Sequence, residues 1–540
     1  MEFILLSSMA KVLPDLLPAR YAELTRAVAF SGETLCFQLA FRQQGCGREP
    51  LSFYAQLCGA QAWHAYLVRN VAVGLPAYEE GDADYLSLKP GLYPDFLDET
   101  DLSRPLDAHG SWQSLFFEVE GLTAGPHRLT LRLTDESGAA LCEKTLDVRV
   151  PADALPPQRL LYTRWFHCDA LCAHYHVPMF SERHWEILEN FLRKAAQRGM
   201  NTVLTPIHTP PLDTDVGGER MTAQLVDITL EDGQYRFGFD RFDRWAALCR
   251  RCGITHFEMA HLYTQWGAKA APKITVRVNG VEKRVFGWDT PATGESYRAF
   301  LAAYLPALTQ HLEALGIAEN CLFHISDEPS EENLENYLAA KAQVEPYLKG
   351  YRMIDALSSF AFYEKKAVRH PIPAVDHLQP FFDAGVPDLW TYYCCGQWKD
   401  VSNSFIAMPG ERTRVLGVLL YRYGVTGFLQ WGCNYYFSRN TRAYVNPYRS
   451  ADGDLTWPAG DPFVLYPAPD GRALDSLRSL LTQKAIDDLR MLELLESRTS
   501  REHVLSLIAR EADGLPTMER YPRDEAFLLR LREKAADELA

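Results

Sequence analysis

The sequence predicts a multidomain α/β protein: an N-terminal β-sandwich, then a (β/α)8 TIM barrel with a short helical C-terminal tail. Three observations predict it. Up to about residue 150 the chain holds strand-length apolar runs with partial alternation and little helical periodicity. The segment PADALPP (151–157) then puts three prolines among small residues, as a linker does. Beyond about 160, eight short apolar runs alternate with helical patterns. The expected boundaries are 1–155 for the sandwich, 156–500 for the barrel and 501–540 for the tail.

In the first part, TLCFQLAFR (34–42), LSFYAQLCG (51–59), HAYLVRNVAV (64–73), SWQSLFFEVEGL (111–122), HRLTLRLTD (127–135) and KTLDVRV (144–150) read as strands. Turn-rich QGCGRE and DESG separate some of them. The barrel strands are LLYTRWFHC (160–168), NTVLTPIH (201–208), ITHFEMAHL (254–262), CLFHIS (321–326), YRMIDAL (351–357), IPAVDHL (372–378), DLWTYYCC (388–395) and TGFLQWG (426–432). Between them, Ser181 is placed to cap a helix whose Trp185, Leu188, Phe191, Leu192 and Ala195 share a face, with Gly199 past its end. Ser330 is placed to cap another, with Glu331 and Glu332 in the first turn, where the dipole favours acids. The fifth and sixth connections are thin. After the eighth strand, Leu474, Leu477, Leu481, Ala485 and Leu489 line a long helix. Residues 500–540 are helix-prone and split by DGLP (513–516).

Composition narrows the function. Fifty-five Lys and Arg against 70 Asp and Glu leave −15, without the basic footprint of a nucleic-acid binder or of a protein drawn to anionic lipid. No run approaches the ~18 apolar residues of a membrane helix. The N-terminal MEFILLSSMAKVL has an acid at position 2 and a short apolar run, unlike a signal peptide. Twelve cysteines are too sparse for a disulfide scaffold, so reduced thiols and a cytoplasmic location are expected.

In a barrel, chemistry sits at the C-terminal ends of strands. The fourth candidate strand ends in HISDEPS, which places Asp327 and Glu328 side by side before Pro329. Proline keeps the residue before it off the helix, and adjacent carboxylates at a strand end are a way to separate two pKa values. As helix caps they would compete with Ser330. Trp165, Trp266, Trp288, Trp390, Tyr392, Tyr393, Trp431, Tyr435 and Tyr436 crowd the other strand ends. Flat rings with polar edges suit a sugar's C–H faces and hydroxyls. HCDALCAHYH (His167, Cys168, Asp169, Cys172, His174, His176) and CRRC (Cys249, Cys252) resemble metal-binding strings. Neither has the partner spacing of a structural zinc site, so no metal is expected, and the vicinal Cys394–Cys395 reads as packing. No Walker loop, GxGxxG or GxSxG motif occurs, and no cofactor is expected.

The strings WFHCDALCAHY, LTPIHTPPLDT, HLYTQWGAKAAPKI, FGWDT, FHISDEP, LWTYYCC, SFIAMPGERTR and GFLQWGCNYY resemble, in this order, bacterial proteins with the domain of unknown function 4091, the catalytic part of glycoside hydrolase family 123. The resemblance runs from about 160 to 500, and residues 60–150 resemble the preceding β-sandwich. It implies a retaining β-N-acetylgalactosaminidase whose substrate's own 2-acetamido oxygen attacks the anomeric carbon, forming an oxazolinium ion. In that scheme Glu328 protonates the leaving oxygen and later deprotonates water, and Asp327 holds the acetamido N–H. Tyr392 or Tyr393 would hold the acetamido oxygen, with Tyr393 preferred. Trp431 would stack beneath the sugar, with Asn434 nearby. His208, His261, Gln265, Trp266, Trp288 and Asp355 complete the candidate substrate-binding set. The partner implied is a small-molecule glycan or glycoside, for a cytoplasmic enzyme an imported oligosaccharide.

Two other readings remain open. One keeps the barrel but uses two carboxylates, Glu328 as acid with Glu258 or Asp355 as nucleophile, on a different sugar. The other is a non-catalytic carbohydrate-binding protein.

Overall fold

The computed structural model describes residues 1–16, 20–45, 49–78 and 81–539; half of the QGCGRE turn (46–48) lies outside them. The N-terminal part is two five-stranded sheets face to face. One runs Glu2–Ser7, Leu35–Arg42, Gln113–Glu120, Ala62–Val73, Gly91–Glu99, and the other Arg26–Val28, Ala140–Val150, Gly125–Thr134, Leu51–Cys58, Leu106–Ala108. Alternation shows why: along Gly125–Thr134, Leu129, Leu131 and Leu133 are buried against Phe37, Phe53 and Phe117, while Arg128 and Arg132 face out.

The first sheet alternates less because it is buried on both faces. The outer-face residues Cys36, Val68, Leu97 and Phe116 pack on Leu477 and Leu480 of the helix Leu477–Arg498. Four strands were not expected, Glu2–Ser7, Arg26–Val28, Gly91–Glu99 and Leu106–Ala108. Gly91–Glu99 carries Pro94, a residue a strand tolerates only at an edge or bulge, and it has both: it is the edge strand, with a register shift between Arg69 and Asn70. The shift leaves Asp95 unpaired in the ladder and free to bind Arg478 (2.8 Å), both fully buried.

Eight parallel strands form the barrel: Leu161–Arg164, Thr202–Thr205, His256–Met259, Cys321–Phe323, Arg352–Ala356, His370–Ile372, Trp390–Tyr392 and Gly427–Gln430. Strands one to six pair in order, the eighth pairs with the first and seventh, and an Ala374–Tyr392 bridge nearly closes the ring. The sixth strand is a correction. It is His370–Ile372 rather than 372–378, because Val375–His377 winds into a 3-10 turn and Leu378–Asp383 into a helix. Pro371 and Pro373 can only accept here, and the Pro373 carbonyl takes the Tyr392 N–H (3.1 Å) and the Thr391 hydroxyl (2.8 Å).

Ser181 Oγ accepts the His184 N–H (3.3 Å) at the start of Glu182–Gln197, and Gly199 follows that helix at φ +92. Ser330 does not cap through its side chain; its Oγ accepts from the Asn333 amide (2.7 Å), and a 3-10 turn Glu331–Asn333 precedes the helix Leu334–Val344. Leu474 lies outside the long helix, in the short strand Ala473–Leu474. The loops after strands two and three each carry a hairpin, Asp227–Glu231 with Gln234–Gly238 and Ile274–Val278 with Val281–Phe286, joined into a four-stranded sheet. Two helices, Arg501–Glu511 and Glu525–Glu538, end the chain, and the second packs back on Arg26–Val28 and on the long helix. Among the described residues no helix is long and apolar enough to cross a membrane.

Candidate active site

A cleft of about 170 Å³ opens where the barrel strands end. The fourth strand delivers its acids. Asp327 is half-buried and Glu328 exposed, and both line the cleft. Glu328 sits at φ +41, a left-handed conformation uncommon outside glycine, with its N–H donated to the Ala356 carbonyl (3.1 Å). The fifth strand thus holds the turn that aims the acids. On Glu328 Oε1 the Tyr392 hydroxyl donates at 2.6 Å. Burial and the neighbouring Glu328 charge push the Asp327 carboxyl well above the usual carboxylate range, against the pull of His324.

Aromatic rings make the walls. Trp165, Trp266, Tyr392, Trp431, Tyr435 and Trp457 line the cleft, with Gln265, Asp213, His167, Cys394 and Cys395 between them. Trp431 stacks its edges on Tyr435 and Trp457 (ring centres 5.1 Å from each) and donates Nε1–H to Asp461 (2.8 Å). Burial pushes Asp461 up to about 7. Asp213 accepts the Tyr435 hydroxyl and the Asn440 N–H (2.9 Å).

Beneath the acids lies a buried ionic chain. His324 Nε2 is 3.1 Å from Glu258 Oε2, and Nδ1 is 3.5 Å from Asp355 Oδ1. Burial alone would lower the His324 pKa, but the two carboxylates hold it up at about 9, so the ring is a cation. Glu258 also accepts from Trp165 Nε1 (2.9 Å). Asp355 accepts from the Ile325 N–H (2.9 Å), the Ser326 N–H (3.3 Å) and the Tyr337 hydroxyl (2.5 Å). It therefore fixes the backbone just ahead of Asp327. His261, His324 and Asp355 bring metal-ligand atoms within 4.8 Å of one another. The set suits a metal poorly, because both Asp355 oxygens are already engaged, one by the Ile325 and Ser326 N–H groups and the other by the Tyr337 hydroxyl.

Of the sequence-predicted residues, Asp327, Glu328, Tyr392, Trp431, Gln265 and Trp266 line this cleft. Six others lie elsewhere. Tyr393 is fully buried with its ring on Phe428 (4.9 Å), turned away because neighbouring strand residues face opposite sides. Asn434 spends its amide on the His167 backbone, accepting its N–H (2.9 Å) and donating to its carbonyl (3.1 Å). His208 (Nε2 2.9 Å from the His261 carbonyl) and His261 (stacked on His324 at 4.2 Å) lie buried, outside the cleft lining. Asp355 is buried in the ionic chain, and Trp288 lines a different cavity. Trp390 and Tyr436 are core. In the first metal-like string Asp169 binds Arg220 (2.9 Å) and His167 lines the cleft, and in the second Cys249 and Cys252 are buried in the helix Asp240–Cys252. Asp213, Trp457 and His167 were missed as site residues, and Cys394 and Cys395, expected as packing, line the cleft because the seventh strand ends at Tyr392 and turns there along its wall. Asp213 sits in the LTPIHTPPLDT string, and Trp457 belongs to a long loop without a motif.

The profile of the glycoside hydrolase 123 catalytic domain matches residues 165–495. Among solved structures, a family 123 glycoside hydrolase from Clostridium perfringens, described for glycolipid glycan hydrolysis, superposes with TM-score 0.71 at 14% identity. The match covers 100% of this chain and 96% of that one. A family 5 mannosidase from Rhizomucor miehei has TM-score 0.33 at 10% identity, over 64% of this chain and 94% of its own. No curated protein matches by sequence. With the profile spanning over half of the chain and the barrel carrying its acids at the strand ends, the protein belongs to glycoside hydrolase family 123, a glycosidase acting on glycans.

Proposed function

We propose that the protein is a retaining, exo-acting β-N-acetylgalactosaminidase that works by substrate assistance. The observation that carries this reading is which acids reach the cleft. Asp327 and Glu328 do, side by side, whereas Glu258 and Asp355, the nucleophiles a two-carboxylate route would need, are buried and tied to His324. Asp213 also lines the cleft, but Tyr435 and the Asn440 N–H already hold its Oδ2.

In the first step the acetamido oxygen forms a bond to the anomeric carbon as the glycosidic C–O bond breaks, and Glu328 gives its proton to the leaving oxygen. With Glu328 protonated, the charge that helps to raise the Asp327 carboxyl is gone, so Asp327 is the carboxylate of the pair; it accepts the acetamido N–H and offsets the positive charge developing on the oxazolinium. Water then adds at the anomeric carbon, gives its proton to Glu328 and reopens the ring with retention. Tyr392, placed on Glu328, is the tyrosine available to the acetamido oxygen. Trp431 and Trp266, the more exposed rings of the lining, are the ones available to the sugar faces, and a space near 170 Å³ suits one terminal ring.

Aryl glycosides differing at C2 and C4 test the proposal. Turnover is expected only with a 2-acetamido group and faster for galacto than gluco, with inhibition by a thiazoline mimic of the oxazolinium. Glu328→Gln should lose about 10²–10⁴-fold in kcat/KM. Turnover of sugars without the acetamido group and indifference to the thiazoline would point to the two-carboxylate route. Failure on every glycoside would leave a sugar-binding protein.

A further inference from the structure

The seventh strand, Trp390–Tyr392, runs out into two adjacent cysteines that the reaction scheme leaves unused. Cys394 and Cys395 both line the cleft, as do Tyr392 and the acids Asp327 and Glu328. Of the described cysteines seven are buried and four are half-exposed: these two, Cys58 and Cys142. Cys58 and Cys142 stand in sandwich strands that the strand Gly125–Thr134 separates. Two strand spacings are about 9–10 Å, too far for one atom to bridge. Cys394 and Cys395 are therefore the one accessible dithiol among the described residues.

The turn that carries them is fixed. Gln397 Oε1 accepts from the Cys394 N–H (3.1 Å) and from the Cys394 thiol (3.3 Å), whose sulfur in turn accepts the Gly396 N–H (3.4 Å). Asn403 donates to the carbonyls of Cys394 (2.9 Å) and Gln397 (2.8 Å), and Gln397 Nε2 is anchored on Asp376 (3.1 Å). The two thiols lie within hydrogen-bonding reach of each other, and the Tyr78 hydroxyl reaches Cys395. Two sulfurs are thus held side by side on a pinned backbone, where one soft atom can bond both without reordering the chain. The Cys395 contact, burial and the Glu328 and Asp461 charges hold the Cys394 thiol well above its usual pKa. Reagents that need a thiolate are thereby disfavoured, and a ligand that takes this site has to carry off the thiol protons itself.

We propose that Cys394 and Cys395 form a chelating site for trivalent arsenic, supplied as an organoarsenic(III) oxide, and that filling it closes the catalytic cleft. The step balances without an oxidant. Two S–H bonds and the As=O bond break, two As–S bonds form, and the two protons leave with the oxide oxygen as water; arsenic stays trivalent. The organic group carried by the arsenic then occupies part of a space of about 170 Å³, beside Tyr392 and the Glu328 that it holds. The site is independent of which glycoside the protein cleaves.

Phenylarsine oxide is the probe. Wild type should gain one phenylarsenic group with loss of one water by intact mass, mapped to the peptide carrying Cys394 and Cys395, and should lose turnover in step. The dithiol 2,3-dimercaptopropanol should restore activity, whereas 2-mercaptoethanol at the same thiol concentration should not, because a chelate yields to a competing chelator. Cys394→Ser and Cys395→Ser, each read against its own untreated activity, should raise the half-inhibiting concentration on the order of a hundredfold. Cys58→Ser should leave it unchanged. An adduct on other cysteines, release by the monothiol as readily as by the dithiol, or full turnover with the pair occupied overturns the proposal. If one serine variant does not fold, the other and the wild-type peptide map decide. A protein that turns over no glycoside still takes the arsenical by mass, with loss of sugar binding read in place of turnover. Failure of the glycosidase mechanism is thereby told apart from failure of this site.

Discussion

At the floor of the cleft His324 lies between Glu258 and Asp355, all three buried from water. Its folded pKa of about 9 exceeds the ordinary 6.5, so its cation stabilises the fold. The sign follows: the stabilisation is fully present below about pH 6.5 and is lost as pH rises through about 9. Thermal unfolding of wild type and His324→Gln between about pH 6 and pH 10 should show a large difference at the acidic end that closes at the alkaline end. At neutral pH the variant leaves two buried carboxylates without their cation, a cost of about 3–5 kcal/mol. A Tm difference that does not vary with pH would argue against the cation. That Asp327 and Glu328 would stand at the cleft was legible from one string at a strand end. The chain beneath them was not, because Glu258, His324 and Asp355 come from three different strand regions and meet only when the barrel closes.

Secondary-structure elements are joined by buried charges rather than by apolar contact alone. Glu33, at the start of the sandwich, takes Lys484 from the long helix and Arg532 from the last helix, and Arg532 also reaches Asp488. Burial would raise Glu33, but the two cations hold it down at about 2. Arg414 adds a further contact to Asp488 (2.7 Å). The last helix is thus bound to both the sandwich and the barrel's closing helix. Arg532→Ala leaves Glu33 and Asp488 short of a buried partner and should cost about 3–5 kcal/mol, read as a lower denaturant midpoint. A near-wild-type midpoint would mean that the helix is held mainly by its apolar face. Helical periodicity in 500–540 predicted these helices. Their docking could not be read from it, since the partner acids Glu33 and Asp488 lie 499 and 44 residues away from Arg532, in other elements.

For the whole molecule, −15 of net charge carries little functional information. A neutral glycan is not steered by the protein's field, and the polar walls beside the cleft are charge-balanced. The kcat/KM for a neutral glycoside should therefore stay nearly flat in a salt titration, within about twofold. A steep salt dependence with this neutral substrate would mean that screened charges of the protein itself control the cleft.

The sequence by itself determined the sandwich and barrel, the acid pair and an aromatic strand-end cleft. These depend on local periodicity, proline placement and the rule that barrel chemistry sits at strand ends. The tertiary structure decided which tyrosine faces the cleft, because strand alternation turns Tyr393 inward and leaves Tyr392 on Glu328. It also decided that Asn434 and Asp355 hold backbone. Trp288 was set apart in the same way, because its hairpin folds beside the cleft and not into it. Those outcomes depend on which distant groups consume each side chain's hydrogen-bonding capacity, and only the folded chain specifies that.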